Sequence, residues 1–185
     1  ALPAILAAGA VHTHLIREGL RSYASITVRA AECLDVHHFA VLIGVGATAV
    51  NAWMVQDALA FKGLEDYTGL DNFNTAMRNY KTSVNDGLLK IMAKMGISII
   101  SAYRGGCNFE AIGLSRALVA EYLPGIPSRI SGIGLSGLEE RLIAQHSYAY
   151  GAAVPALPMG GFYRFRASGE QHEWDAKRIH TLQMA

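Results

Sequence analysis

Two cysteines, Cys33 and Cys107, are all that this sequence of 185 residues contains, and that shortage excludes a disulfide framework. It fits a reducing, cytoplasmic compartment instead. No zinc-type spacing joins either thiol to the histidines. Charge is scarce too: Asp, Glu, Lys and Arg make up 17% of the chain and the formal net charge is +1, so there is no basic field for nucleic acid. No apolar run reaches the roughly 20 residues of a membrane span. The apolar start, ALPAILAAGAVHTHLI, has no basic residues before it and is broken by His12, His14 and Arg17, so it reads as a buried helix and not as a signal peptide. Internal repeats and low-complexity tracts are absent.

What remains is a length that suggests one domain with a piece of a second, enough to bury a real core. The pattern predicts an α/β chain, helix-rich, with a few short, mainly parallel strands. A first helix opens with Pro3 in its first turn and closes near Gly19 or Arg21. Residues 25–30 (SITVRA) read as a strand, and Asp35 caps a helix over 36–43. Helix is expected again from Ala49 to about Phe61, with a loop over Lys62–Asn72. Residues 72–95 form one helix, or two broken at Gly87. Two short helices are expected near 107–112 and 116–122, ended by Pro124-Gly125-Ile126-Pro127. Ser136 reads as the N-cap of a helix through Gln145, with Glu139 completing a capping box. Residues 147–161, rich in Ala, Pro and Gly, read as an ordered linker. Phe162, Tyr163 and Phe165 with the turn Ala167-Ser168-Gly169 suggest a hairpin, and Asp175 caps a last helix.

The stretch Lys90–Leu114 (KIMAKMGISIISAYRGGCNFEAIGL) is the most informative. Leu88, Leu89, Ile91, Met92 and Met95 share one helix face, Gly96 stops that helix, and Ile97–Ser101 reads as a short strand. Tyr103-Arg104-Gly105-Gly106 then stands past the strand's end, where α/β proteins gather ligands. The turn has two readings: an anion site of guanidinium and backbone amides, or, favoured, a brace in which Arg104 pairs with Glu110 or Glu121. Ser128-Arg129, before Ile130-Ser131-Gly132, carries the same ambiguity. Gly44-Val45-Gly46-Ala47-Thr48-Ala49 matches a dinucleotide fingerprint, with Glu65 and Asp66 about twenty residues on. A helix junction is the favoured reading, because strand signals around it are sparse. His12 with His14, and His37 with His38, diverge around a helix and read as hydrogen-bonded histidines. Met77, Met92 and Met95 read as core filler, and Trp174 as simple packing.

Several of these segments together resemble the glutamate synthase large subunit. KMGIS, AYRG and FEAIGL are similar to the part between its glutaminase and flavin domains. PAILAAGAVHTHLIREGLR (3–21), VHHFAVLIGVGATAVN (36–51), PSRISGIGL (127–135) and FYRFRASGEQHEWDAKRIHTLQMA (162–185) resemble its segments in the same order. Departures are Trp53, where the family usually has Pro-Tyr, and Gly106-Cys107 for Ala-Gln.

The resemblance implies residues 1–150 as the C-terminal part of a central connecting domain. Residues 151–185 would then be a linker and the first hairpin and helix of a (β/α)8-type FMN domain. It implies a parent oxidoreductase acting on CH–NH2 donors, which makes two glutamates from glutamine, 2-oxoglutarate and reductant. FMN and a 3Fe-4S cluster would lie elsewhere in that parent. Its partners would be the glutaminase and FMN domains and a small reductase subunit or ferredoxin, with no nucleic acid or membrane. Because the glutaminase cysteine, the cluster cysteines and the flavin loops are not in this stretch, the segment is expected to scaffold, bind no cofactor or metal, and be inactive alone. In that setting Tyr103, Arg104, Gly105, Ser128, Arg129 and Gly132 are expected to line an ammonia passage or an interface. The alternatives are a free-standing nucleotide- or flavin-binding oxidoreductase using Gly44-Val45-Gly46, and a structural module without any ligand.

Overall fold

The computed structural model describes residues 2–65, 69–151, 159–161 and 164–185. The chain divides into two compact units, residues 1–139 and 140–185.

The first unit is built from two strand–helix–strand repeats set among other helices. Helix α1 (Ala4–Arg17) follows Pro3, whose extended backbone forms the N-cap, and buries Leu6, Ala8, Gly9 and Thr13. A 3-10 turn (Arg21–Tyr23) leads to β1 (Thr27–Arg29). Helix α2 (Val36–Gly44) is opened by a reciprocal capping box. Asp35 accepts from the His38 amide, and His38 Nδ1 faces the Asp35 amide at 3.3 Å. Strand β2 (Ala49–Asn51) then pairs parallel to β1 in unbroken register, Thr27 opposite Ala49 and Arg29 opposite Asn51. The second repeat is β3 (Ile112–Leu114), helix α6 (Arg116–Tyr122) and β4 (Ile130–Ile133), again parallel. Helices α3 (Trp53–Glu65) and α4 (Gly69–Lys94) and the single turn α5 (Ile100–Tyr103) lie between the repeats in sequence. Helix α7 (Leu135–Ala149) runs on from the first unit. In the second unit, α8 (Ala176–Met184) is capped by Asp175, which accepts from the Arg178 amide at 2.7 Å.

The main core gathers Leu6 and Ala8 of α1, Leu42 of α2, Leu118 and Val119 of α6, and the loop residues Leu123 and Ile126. A smaller cluster joins Ala40 and Met92 to Tyr103. The first is an α/β core, in which Val28 and Val50 of the short parallel strands depend on helices for cover; the second is built by helices and loop alone. The helix-rich α/β class with short parallel strands is as expected.

Five local expectations are corrected. Ile97–Ser101 is not a strand: Ile97 donates back to Met92 O at 2.9 Å, Arg104 N closes the α5 turn on Ile100 O, and no strand pairs with it among the described residues. A short apolar run is ambiguous between strand and helix, and here the helix side wins. Ala49–Asn51 is strand β2, so the following helix begins only at Trp53. Residues 62–65 and 69–72 are helical in backbone, not loop, and 66–68, with Asp66, lie outside the described residues. Residues 107–111 are not helical, and Cys107 takes a left-handed φ of 50°. Helix α7 begins at Leu135, with Leu138 N bonded to Gly134 O, so Ser136 is inside its first turn and not its cap.

Helix α4 passes Gly87 unbroken. The glycine gives close packing: a Cβ there would lie 2.6 Å from a Val36 methyl. The Phe162–Tyr163 part of the expected hairpin and residues 152–158 of the linker lie outside the described residues. Near them, the Glu170 amide donates to Gly160 O at 2.8 Å and the Gly169 amide to Arg166 O at 3.0 Å. Among the described residues no helix is long and apolar enough to cross a membrane.

Candidate functional site

The two glycine motifs singled out in the sequence meet in space. Gly105 donates to Ile43 O at 3.1 Å and Cys107 to Gly44 O at 3.2 Å, so the turn after Tyr103 caps the last carbonyls of α2. Ile43 O accepts from the Gly46 amide as well, at 2.9 Å, whereas Gly44 O, at the end of the helix, depends on Cys107. The arrangement corrects the anion reading of that turn: these two amides face the partially negative end of a helix. It also removes the dinucleotide geometry at Gly44–Gly46. That motif runs helix, turn, strand, whereas a phosphate-binding fingerprint needs strand, turn, helix.

His12 completes the junction. Its Nδ1 accepts from Arg21 Nε at 2.9 Å, and the same guanidinium donates to Gly46 O at 2.8 Å and to Ala24 O at 2.5 Å. Burial, and then the charge of Arg21, lower the pKa of His12 below its ordinary value of 6.5. On its other side the ring lies against Gly105, where a Cβ would come within 3.3 Å of Cε1 and Nε2. Gly105 has φ +70°, so both space and backbone favour glycine there. A cavity of about 320 Å³ opens beside this group, lined by Gly9, His12, Thr13, Gly105, Cys107 and Leu123 among others. The Cys107 thiol stands 3.6 Å from Pro124 O, and burial raises its pKa.

Tyr103 is wholly buried, edge-on to Phe109 with ring centroids 6.2 Å apart. Its hydroxyl has no hydrogen-bond partner among the described residues, and burial raises its pKa. The brace expected of Arg104 is corrected as well. Glu110 pairs with Arg129 at 2.9 Å instead, and Arg104, half-buried, has no ion pair among the described residues.

Ser128, Arg129 and Gly132 belong to the second strand pair. Ser128 Oγ donates to Leu114 O at 3.2 Å, and Arg116 clamps the turn by donating to Ser128 O at 3.1 Å and Arg129 O at 2.8 Å. A Cβ on Gly132 would run into the backbone of Gly113. The missing side chain therefore serves strand contact and leaves no open wall. The six residues thus form two groups, Tyr103-Arg104-Gly105 at the His12 junction and Ser128-Arg129-Gly132 at β3–β4, where Arg129 pairs with Glu110. Arg21 and Phe109 were not singled out in the sequence. Phe109 fills the space over Gly44, and in the sequence it stood out only as the first residue of FEAIGL.

The chain does not supply the ligands of an iron–sulfur cluster. It has two cysteines, and Cys33 is buried, its thiol pushed up to about 11 by burial first and then by Asp35 and Glu32. Among the described residues no group of three His, Cys, Asp or Glu is placed to hold a metal. His38 is instead spent on the cap of α2.

Residues 1–115 match the glutamate synthase central domain. Along all of its length the chain is 61% identical to the NADPH glutamate synthase large chain of Azospirillum brasilense and 40% identical to that of Bacillus subtilis. It is 39% identical, over 92% of its length, to ferredoxin-dependent glutamate synthase 2 of Synechocystis. In each case the chain spans 12% of the relative's length. With the match covering more than half of its residues, the chain belongs to the glutamate synthase central domain family.

Proposed function

We propose that this chain is the central connecting segment of a glutamate synthase large chain. Residues 1–150 would be the end of the central domain, and 151–185 the linker and first elements of the FMN domain. The parent would convert glutamine and 2-oxoglutarate, with reductant, into two glutamates in the cytoplasm. FMN and a 3Fe-4S cluster would be held by other parts of the large chain, which supply the thiolates this segment cannot. Electrons would arrive through a small reductase subunit or ferredoxin; the names of the relatives print NADPH for two of those proteins and ferredoxin for a third. The observation that carries the reading is the 61% identity sustained over all 185 residues.

The segment's own role is to hold the glutaminase and flavin sites in fixed relation. Its cavity at His12, Thr13 and Gly105 lines part of the route for ammonia. Support for that wall is physical: Gly9 and Gly105 stand among apolar side chains such as Ile16, Val45 and Leu123 around a space of about 320 Å³, and its one charged lining group, Arg17, would repel ammonium and not trap it. The β3–β4 group contributes rigidity, since Gly132 has no free face.

The test uses the full-length enzyme carrying Thr13→Leu, which narrows the cavity without touching a titrating group. Glutamine hydrolysis and glutamate formation are measured together. The expected outcome is intact hydrolysis with ammonia escaping to solvent; unchanged coupling of the two rates sinks the passage reading.

A further inference from the structure

Beside β1 lies a second groove, of about 450 Å³, with no place in the reading above. One wall is the chain from Ile26 to Glu32 in unbroken succession. The other is the α1 stripe Ala4, Ala7, Ala8 and Val11, with Leu2 and Trp53 at the ends. Spacing of three and four residues makes that stripe one helix face, distinct from Leu6 and Gly9, which turn to the interior.

The backbone of β1 is paired on one side only. Ile26 O accepts from Thr48 N at 2.8 Å and Ala49 N at 3.2 Å, and Ala30 N donates to Asn51 O at 3.1 Å. Residues 26 and 30 therefore turn their main-chain groups toward β2. Alternation along a strand turns those of Thr27 and Arg29 the other way, into the groove, where no hydrogen bond is made to them among the described residues. An open parallel edge against an apolar helix face is the setting in which an extended segment adds as a further strand.

Topology selects the occupant. Both parallel pairs here follow the rule strand, helix, neighbouring strand: β1–α2–β2 and β3–α6–β4. Helix α1 precedes β1 in the chain and, with β1, walls the groove, and only Leu2 and Pro3 stand before it among the described residues. A crossover of the same kind would start from a strand leading into α1 and lying parallel to β1, on the side away from β2. Loops joining strand to helix in such units take only about 2–6 residues, and Pro3 enters α1 in extended backbone. The relatives are longer polypeptides, of which this chain spans 12%.

We infer that the groove holds a β-strand of the same large chain, from the segment directly preceding α1, added parallel to β1 on the free main-chain groups of Thr27 and Arg29. This extends the sheet to three strands and rests on the proposal that the chain is a segment of a larger glutamate synthase polypeptide. The occupant carries small or β-branched side chains at alternate positions, because Ala4, Ala7 and Ala8 leave shallow space.

The experiment uses the full-length large chain. Amide exchange at Thr27 and Arg29 is followed by mass spectrometry or NMR, and benzoylphenylalanine is placed at the exposed position 29. The expected result is exchange slowed at least 100-fold against the unstructured-peptide rate, the level of a paired strand amide. The photoproduct is expected to join Arg29's position to a peptide within about ten residues before Ala1. Free exchange at both amides overturns the strand. A cross-link to a second copy, to another subunit or to a distant part of the large chain overturns the occupant. Glutamate synthesis by the same preparation separates the two levels: an active enzyme with free amides refutes the strand alone, and an inactive one counts against the parent function.

Discussion

The two strand–helix–strand repeats share a topology and differ in what holds them. In β1–α2–β2 the ladder is regular, and the crossover helix drives Leu42 and Ala40 into separate buried clusters. In β3–α6–β4 the register shifts between Ile112 and Leu114, and Ile112 and Ile130 stand 69% and 61% exposed. That pair is held instead by backbone-to-backbone contact at Gly113 and Gly132 and by the Arg116 clamp. Side-chain burial anchors both crossover helices, and the second strand pair adds glycine contact and an arginine clamp. Parallel pairs this short have little ladder of their own, so the crossover helix and the fasteners beside the strands decide stability.

The comparison can be broken at several points. The largest effect is expected for Leu42→Ala and Leu118→Ala, each about 2–5 kcal/mol by thermal or denaturant unfolding; a large difference between them would mean the crossovers are not equally anchored. Gly132→Ala should cost about 1–3 kcal/mol by overpacking against backbone that cannot step aside, whereas Thr27→Ala, exposed in β1, should stay within about 0.5 kcal/mol. If Gly132→Ala is equally mild, the second repeat is not held by its glycines. Gly105→Ala should cost about 1–2 kcal/mol for a left-handed alanine, detected as faster amide exchange at Cys107.

A smaller effect is expected from pH. The pKa of His12 is lower folded than unfolded, so its contribution is fully present above the ordinary value of 6.5 and lost as pH falls below that toward the folded value. Stability should therefore decline on acidification in a part that His12→Gln removes; an identical pH profile in the variant would show that His12 does not carry it. Cys33, pushed up to about 11, should resist alkylation at pH 8 in the native protein and react once it is unfolded.

Much of the helical framework was legible, because its signals are local. Asp35, Gly96 and Asp175 mark helix ends through their own backbone and side-chain chemistry, and each stands where expected, whereas Pro3 stands one residue ahead of the first turn, as the cap. The three-residue strands were harder. Ala49–Asn51 and Ile112–Leu114 are too short to show alternation, and they exist because a partner strand lies beside them. Ile97–Ser101 failed for the converse reason, having β-type residues and no partner. At the junction the turn 103–106 was legible as a place of interest. Its use was not: which carbonyls Gly105 and Cys107 cap, and that Arg129 rather than Arg104 takes Glu110, depend on contacts across many residues of sequence. The resemblance named the family where these contacts could not.

The bond from Arg21 to His12 has a consequence for the chemistry of the ring. A guanidinium does not surrender its protons at ordinary pH, so the nitrogen facing Nε of Arg21 must be the bare one, and the hydrogen sits on Nε2. The imidazole is thereby held in one tautomer and one orientation. Above the pH at which the folded ring takes up a proton it works as a fixed dipole, its donor edge toward Gly105.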